Sequence, residues 1–243
     1  MRVNQQSREV VLKVVYYGPG LAGKTTNLQQ LLAMLPGGAE PLAVVDAHSE
    51  RVLRGSVLPP DAPPVQGQRV RAELMTVPGQ SYYAATRRQV LEGADAVVFV
   101  ADSRREALDE NIAAMNEMLE HLRHLRLPER IPVVVQYNKQ DLPNTLKREQ
   151  LEPLLNVRGW SSFPATAARG DGVSDCFRAA VLSACAAAQA AAPVPTATPL
   201  PRTWLISCHR CKTMLEVPDA RPGTIYTCGA CQSALEVVDA DRG

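Results

Sequence analysis

A glycine-rich loop near the start of the chain constrains the fold more than any other feature of this sequence. It reads Gly18-Pro19-Gly20-Leu21-Ala22-Gly23-Lys24-Thr25 and fits the pattern GxxxxGK[ST]. In such a loop the glycines let backbone N–H groups turn inward around phosphates, the lysine neutralises phosphate charge and the threonine hydroxyl binds Mg²⁺. A β-branched apolar segment precedes the loop, and a segment with helical leucine spacing follows it. This order predicts a phosphate-binding site at a helix N-terminus.

The remainder of the chain predicts an α/β fold followed by a small second domain. Apolar segments of strand length alternate with segments of helical periodicity as far as residue 189. Such alternation is typical of a mostly parallel sheet with helices on both faces. A Pro/Ala-rich stretch without periodicity comes next and indicates a linker. We therefore predict a P-loop NTPase domain over residues 1–189, a linker over 190–202 and a second domain over 203–243.

A polar motif after a predicted strand indicates which base the site binds. It reads Asn138-Lys139-Gln140-Asp141 and follows a run of three valines. A loop at the carboxyl edge of a parallel sheet reaches a bound ligand. The Asp141 carboxylate can accept hydrogen bonds from both N1–H and the 2-amino group of guanine, whereas adenine offers neither donor. The motif alone is also typical of an ordinary polar loop, but together with a phosphate loop it favours GTP over ATP.

A Pro-Gly-Gln sequence ends another predicted strand, in the stretch Thr76-Val77-Pro78-Gly79-Gln80. Gly79 and Gln80 are placed to meet a γ-phosphate and to orient the water that attacks it. The alternative is an ordinary turn, because Pro-Gly is a common turn signal.

These motifs together resemble the MglA-type bacterial Ras-like GTPases, a family associated with cell polarity and gliding motility. The matching text is KVVYYGPGLAGKTTNLQ (13–29), TVPGQ (76–80), VVFVADS (97–103) and QYNKQDLPN (136–144). The resemblance covers about residues 8 to 185 and implies a Ras-like fold that binds GTP, GDP and Mg²⁺. It implies that Lys24 and Thr25 contact phosphate and Mg²⁺, that Gln80 positions water and that Ala167 lies in the loop closing over the base. The full set of predicted nucleotide contacts is Gly18, Gly20, Leu21, Ala22, Gly23, Lys24, Thr25, Thr26, Gly79, Asn138, Lys139, Asp141 and Ala167.

The sequence departs from the family in the segment that responds to the γ-phosphate. In the family this segment ends in Thr-Asp-Arg-Thr. An ungapped alignment back from Thr76 matches Arg51 to the arginine of that pattern and puts Val52 in place of its last threonine. Valine lacks the hydroxyl with which that threonine ligates Mg²⁺. Thr76 likewise stands where most relatives carry an aspartate. We therefore expect GTP hydrolysis with low or partner-dependent turnover.

Two residues are the predicted catalytic groups for this hydrolysis, Arg51 and Gln80. Arg51 can act on the developing phosphate charge as an arginine finger from within the chain. The alternative for Arg51 is a solvated loop arginine.

Four cysteines near the end of the chain predict a metal site. Cys208, Cys211, Cys228 and Cys231 form two CxxC pairs inside near-duplicate phrases, CHRCKTMLEV and CGACQSALEV. Their spacing is that of a four-cysteine zinc site, and the duplication resembles a zinc ribbon. Paired disulfides are the alternative, but a chain that otherwise reads as intracellular favours Zn²⁺.

Charge and hydropathy restrict the classes of partner. The formal net charge is +1, and residues 202–243 carry five basic and five acidic side chains, so neither indicates a nucleic-acid surface. The N-terminus has no signal-peptide pattern, and no apolar run is long enough to span a membrane. We expect a cytoplasmic GTP/GDP switch with a regulatory protein and an effector as partners. Two alternatives stay open at this point: a hydrolysis-poor pseudo-GTPase scaffold, and a zinc-ribbon nucleic-acid binder with a regulatory G domain.

Overall fold

The computed structural model describes most of the chain, which divides into two compact units. The described residues are 1–4, 7–35, 40–47, 50–78, 84–125, 127, 131–157, 159–191, 203–208, 210–218 and 224–236. The first unit is Met1–Ala192 and the second is Pro193–Gly243. The linker predicted over 190–202 lies almost wholly outside the described residues, which include only its first two positions.

The first unit is organised around a sheet of eight strands among the residues described. The strands are β1 (Arg2–Asn4), β2 (Glu9–Tyr17), β3 (Glu40–Ala47), β4 (Glu50–Val57), β5 (Arg69–Thr76), β6 (Ala96–Asp102), β7 (Val133–Asn138) and β8 (Ser161–Pro164). They lie in the order β3-β4-β5-β2-β6-β7-β8, with β1 paired to β2. The pairings of β5, β2, β6, β7 and β8 are parallel, and those of β1, β3 and β4 are antiparallel. The sheet is therefore mostly parallel, as the sequence predicts.

Among the described residues of this unit, five α-helices cover the two faces of the sheet. They are α1 (Lys24–Met34), α2 (Ala84–Leu91), α3 (Leu108–His124), α4 (Arg148–Leu154) and α5 (Val173–Ala191). Helices α1 and α5 bury their apolar residues in one core, and α2, α3 and α4 bury theirs in the other. The helices therefore cover both faces of the sheet, as is usual for parallel strands.

Helix α3 shows how the sequence specifies one of these helices. Met115, Met118 and Leu122 are buried at helical spacing, which is the core-facing stripe expected from the periodicity. Acidic residues occupy its first turn and basic residues its last turn, where they complement the helix dipole.

The described part of the second unit contains two β-hairpins. Strand β9 (Thr203–Ser207) pairs antiparallel with β10 (Met214–Pro218), and β11 (Ile225–Thr227) pairs antiparallel with β12 (Ala234–Glu236). Strands β10 and β12 each include the Leu-Glu pair near the end of one of the near-duplicate phrases.

Among the helices that the structure describes, none is long and apolar enough to cross a membrane.

Candidate functional site

Both predicted nucleotide motifs lie at the carboxyl edge of the parallel sheet. Strand β2 leads into the phosphate loop (residues 18–25), and β7 leads into the base loop (residues 138–142). The two strands lie on either side of β6. This is the edge at which open α/β sheets bind ligands.

Two glycines give the phosphate loop its shape. Gly18 has φ 139°, and an added Cβ would lie 2.2 Å from the carbonyl oxygen of Val100. Gly23 has φ 101°, and an added Cβ would lie 2.3 Å from Nδ2 of Asn138. Any larger residue would both strain the backbone and push the loop away from its neighbours. The loop can therefore approach β6 and the base loop only because these two positions are glycine.

Lys24 is buried at the start of α1, with its ammonium group turned back over the phosphate loop. Its Nζ donates to the carbonyl oxygens of Gly18 at 2.9 Å and Pro19 at 2.6 Å. Burial, with a smaller contribution from the positive charge of Arg87, lowers the pKa of Lys24 to about 8. The loop thus holds one cation close to the backbone groups that would surround a phosphate.

Asn138 connects the phosphate loop to the base loop and to a third segment. Its Nδ2 donates to the carbonyl oxygen of Ala22 at 2.8 Å, and its Oδ1 accepts from the backbone N–H of Ala167 at 2.8 Å. Ala167 begins a 3-10 turn, Ala167–Arg169. Three of the sequence-predicted positions are therefore brought together by a single buried amide.

Lys139 is held by a buried carboxylate that sequence reasoning did not single out as a site residue. Its Nζ lies 2.6 Å from Asp102 at the end of β6, and Arg104 binds the same carboxylate at 2.7 Å. Burial raises the pKa of Asp102, but the hydrogen bonds from Arg104 and Lys139 outweigh it, so the pKa lies below its ordinary value. Lys139 also has φ 68°, which is unusual for a residue other than glycine. Asp102 thus keeps its negative charge and fixes the direction of the lysine.

A cavity of about 220 Å³ lies between the two loops. Seven of the residues that line it are predicted site residues: Leu21, Gly23, Thr26, Asn138, Lys139, Asp141 and Ala167. Leu142 and Ala168 also line it and were not predicted. Each directly follows a predicted residue in the sequence, and that adjacency is the signal from which they could have been predicted. A cavity of this kind, mostly apolar with a few convergent polar groups, is typical of small-ligand sites.

The segment expected to sense the γ-phosphate is part of the sheet. Val52 lies in β4, is 1% exposed and packs with Val15, Tyr17 and Val77 in the core under α2 and α3. Its neighbour Leu53 donates its backbone N–H to Oγ1 of Thr76 at 3.3 Å. A buried apolar position explains why valine fits at 52, and the role of this substitution in hydrolysis stays a prediction.

The two predicted catalytic residues, Arg51 and Gln80, are only partly within the described residues. Arg51 lies in β4 and not in a loop, but its side chain is outside the described part of the chain. Gly79 and Gln80 are also outside the described residues.

The four predicted cysteine ligands lie together in the second unit. The sulfur atoms of Cys208, Cys211, Cys228 and Cys231 all lie within 4.8 Å of one another. The Sγ atoms of Cys208 and Cys231 are 3.7 Å apart, and those of Cys211 and Cys228 are 3.6 Å apart. Four thiolates at about 2.3 Å from a central Zn²⁺ would be separated by about 3.8 Å, so the arrangement fits a tetrahedral site.

The two cysteine pairs are held by equivalent hydrogen bonds. The backbone N–H of Cys208 donates to the carbonyl oxygen of Thr213 at 2.9 Å, and that of Cys228 donates to Ser233 at 2.9 Å. The hydroxyl of Ser233 lies 3.0 Å from the sulfur of Cys231. The two near-duplicate phrases of the sequence therefore form two similar turns, and each turn presents two thiols.

Two comparisons with known proteins identify relatives of this chain. The model of the ADP-ribosylation factor (Arf) family matches residues 57–183. The mutual gliding-motility protein MglA of Myxococcus xanthus (strain DK1622) is 41% identical over an alignment of 184 residues, which covers 73% of this chain and 92% of that protein. The Arf match includes the whole base loop and begins after the phosphate loop.

Proposed function

The chain belongs to the Arf- and Ras-like small GTPases, and on that basis we propose that it is a slow GTP/GDP switch of the MglA type that acts in cell polarity or motility. Membership of this family gives the protein GTP binding, GTP hydrolysis and a requirement for Mg²⁺. The motility role rests on the name of the relative that is 41% identical, and the polarity role rests on the family resemblance of the sequence motifs. The scaffold alternative is less well supported, because both comparisons are with GTPases.

The observation that carries the proposal is the cavity between the phosphate loop and the base loop. Its lining places Gly23 on one side and Asp141 on the other. A nucleotide in this cavity would set its phosphates against the loop and the first turn of α1, and its base against Asp141. We assign the predicted contacts to these roles, with Thr25 as the protein ligand of Mg²⁺.

We expect Gln80 and Arg51 to carry the hydrolytic step. Gln80 orients the attacking water and Arg51 stabilises charge on the transferred phosphoryl group. In a single-turnover assay with GTP and Mg²⁺, Gln80→Ala and Arg51→Ala should each slow hydrolysis by on the order of 10²- to 10³-fold while GTP still binds.

The matched control is Arg54→Ala, on the same strand as Arg51. Arg54 is ion-paired with Glu73, and its loss should leave the hydrolysis rate within about twofold. Equal rates for wild type, Arg51→Ala and Gln80→Ala would contradict the assignment. A wild type that binds GTP but does not turn it over would favour the scaffold.

The lowered pKa of Lys24 predicts that nucleotide affinity depends on pH. Because the pKa of Lys24 is about 8 in the chain alone and a bound phosphate favours the charged form, binding above pH 8 must take up a proton. GDP affinity should therefore fall by about fivefold between pH 8 and 9, and change little through Lys24 between pH 6 and 7. Titration calorimetry in buffers of different ionisation heat measures this proton uptake.

A Lys24→Arg variant isolates the contribution of the lysine. Arginine stays charged throughout this range, so the steep fall above pH 8 should disappear even if the overall affinity is lower. The same pH profile in both proteins would show that another group is responsible.

We further propose that the second unit is a zinc ribbon that contacts protein. The four clustered thiols support Zn²⁺ as the ion, and the equal numbers of basic and acidic residues in 202–243 favour a protein partner over nucleic acid. The partners of the whole chain would then be a regulatory protein, either an activator or an exchange factor, and an effector. We place the protein in the cytoplasm and expect no membrane insertion.

A further inference from the structure

Two side-chain amides face each other inside the apolar core between the sheet and α1. Asn27 on α1 and Gln136 on β7 are both fully buried. Asn27 Nδ2 donates to Gln136 Oε1 at 2.8 Å, and Gln136 Nε2 donates to Asn27 Oδ1 at 2.8 Å. We call this reciprocal pair the amide clasp.

The amide clasp is a costly way to fill this space. Buried amides lose their hydrogen bonds to water, and two apolar side chains of similar shape would pack there with little or no loss of stability. An apolar pair tolerates small rotations and shifts, whereas two simultaneous N–H···O bonds at 2.8 Å fix both distance and orientation. The clasp therefore fixes the distance and orientation of α1 relative to β7, although burying the two amides costs their hydrogen bonds to water.

The clasp is attached to the phosphate loop on one side. Asn27 Nδ2 also donates to the carbonyl oxygen of Gly23 at 2.9 Å, and the backbone N–H of Asn27 donates to the same oxygen at 3.0 Å. Both hydrogens of the Asn27 amide are thus used, one toward Gly23 and one toward the sheet. Movement of Asn27 would move the turn that joins the phosphate loop to α1.

On the other side the clasp is attached to the base loop. Gln136 lies two residues before Asn138 in β7, so both side chains point to the same face of the sheet. Asn138 in turn donates to Ala22. The inner face of β7 therefore binds the phosphate loop region at three positions: Ala22 directly, Asn27 through the clasp, and Gly23 through Asn27.

We propose that Asn27 and Gln136 are positioning residues that hold the phosphate loop and the base loop in one fixed register, so that the phosphate and base contacts of a bound nucleotide are aligned before it arrives. Neither residue lines the cavity. The inference rests on the nucleotide site proposed above. Loss of the register would raise the rate at which GDP dissociates, because the two halves of the site would no longer be complementary to the ligand at the same time.

The test compares fold stability with GDP dissociation in single and double variants of the full-length protein. Asn27→Leu and Gln136→Met each leave one buried amide without its partner and should lower the melting temperature by roughly 3–10 °C. The double variant Asn27→Leu/Gln136→Met replaces the clasp by an apolar pair and should recover most of that loss. GDP dissociation, followed by displacement of a fluorescent GDP analogue, should nevertheless stay roughly tenfold faster than in wild type.

A stability-matched control separates positioning from a general loosening of the fold. Val134→Ala removes a buried side chain from the same face of β7 and should lower the melting temperature without faster GDP dissociation. The proposal is overturned if the double variant dissociates GDP at the wild-type rate, or if Val134→Ala speeds dissociation as much as the double variant does. A wild type that fails to bind GDP would instead contradict the proposed site itself.

Discussion

Replacing Asp141 with asparagine is expected to change the preferred base from guanine to xanthine. The carboxylate can accept two hydrogen bonds, which suits the N1–H and 2-amino donors of guanine. Asparagine presents one acceptor and one donor, which suits the N1–H and the 2-oxo group of xanthine. Sites built to hydrogen-bond a ligand reject the mismatched partner strongly, so GTP affinity should fall by on the order of 10³-fold while XTP binds measurably. Competition of GTP, XTP and ATP against a fluorescent nucleotide measures all three affinities.

Asp171→Asn is the control for this substitution. Asp171 is exposed and ion-paired with Arg169 at 3.1 Å, so its loss should leave the preference for GTP unchanged. If Asp141→Asn loses GTP and gains nothing for XTP, Asp141 supports the loop but does not read the base.

Removal of zinc is expected to unfold the second unit and to leave the first one folded. A unit of this size buries too little apolar surface to fold unaided, and structural Zn²⁺ supplies folding free energies of about 10 kcal/mol or more in comparable peptides. Cys228→Ser, or a strong chelator added to the wild type, should abolish slow amide exchange in β9–β12. Amide protection in β2, β6 and β7 should be unchanged. Elemental analysis should find one zinc per wild-type chain.

Cys185→Ala is the control for the zinc site. Cys185 is a buried thiol in α5 of the first unit, so the variant should still bind one zinc even if it is less stable. Protection of β9–β12 that survives chelation would show that the cysteine cluster folds without metal.

The parts of the site that the sequence predicted are those whose chemistry is local. The phosphate loop is a run of eight consecutive residues. Its backbone needs glycine at Gly18 and Gly23, and both glycines can be read directly from the sequence. The base loop likewise has its polar residues side by side. The paired CxxC motifs of the second unit are local in the same sense, and their sulfur atoms do come together.

The parts that escaped sequence reasoning depend on contacts between distant residues. Asp102 becomes part of the site only because β6 pairs with β7, which brings its carboxylate to Lys139. Asn27 and Gln136 are 109 positions apart in the sequence. Neither residue alone indicates a role in the site, because that role depends on their contact. Pairing of this kind is set by topology, which single-sequence patterns do not encode.

The β3–β4 hairpin was missed for a different reason. The residues between the two strands, His48 and Ser49, are not the Asn-Gly or Asp-Gly pair that marks a tight hairpin. Alignment to the family instead indicates that Val52 replaces a threonine that ligates Mg²⁺. The structure adds that Val52 is a core residue of an antiparallel strand, so packing constrains this position as well as chemistry.

The contact between Gly23 and Asn138 restricts how this protein can evolve. The amide of Asn138 occupies the space that a side chain at position 23 would need, and it uses one donor and one acceptor to bind two different segments. Aspartate would lose the donor, leucine would lose both, and glutamine is longer by one methylene in a space closed by the backbone of Gly23. A change at either position should therefore disrupt the site, and a change at 138 cannot compensate for one at 23, because φ 101° strains any residue larger than glycine there. We expect natural variation around the loops to leave this pair untouched, and random mutagenesis to recover few functional variants at 23 or 138.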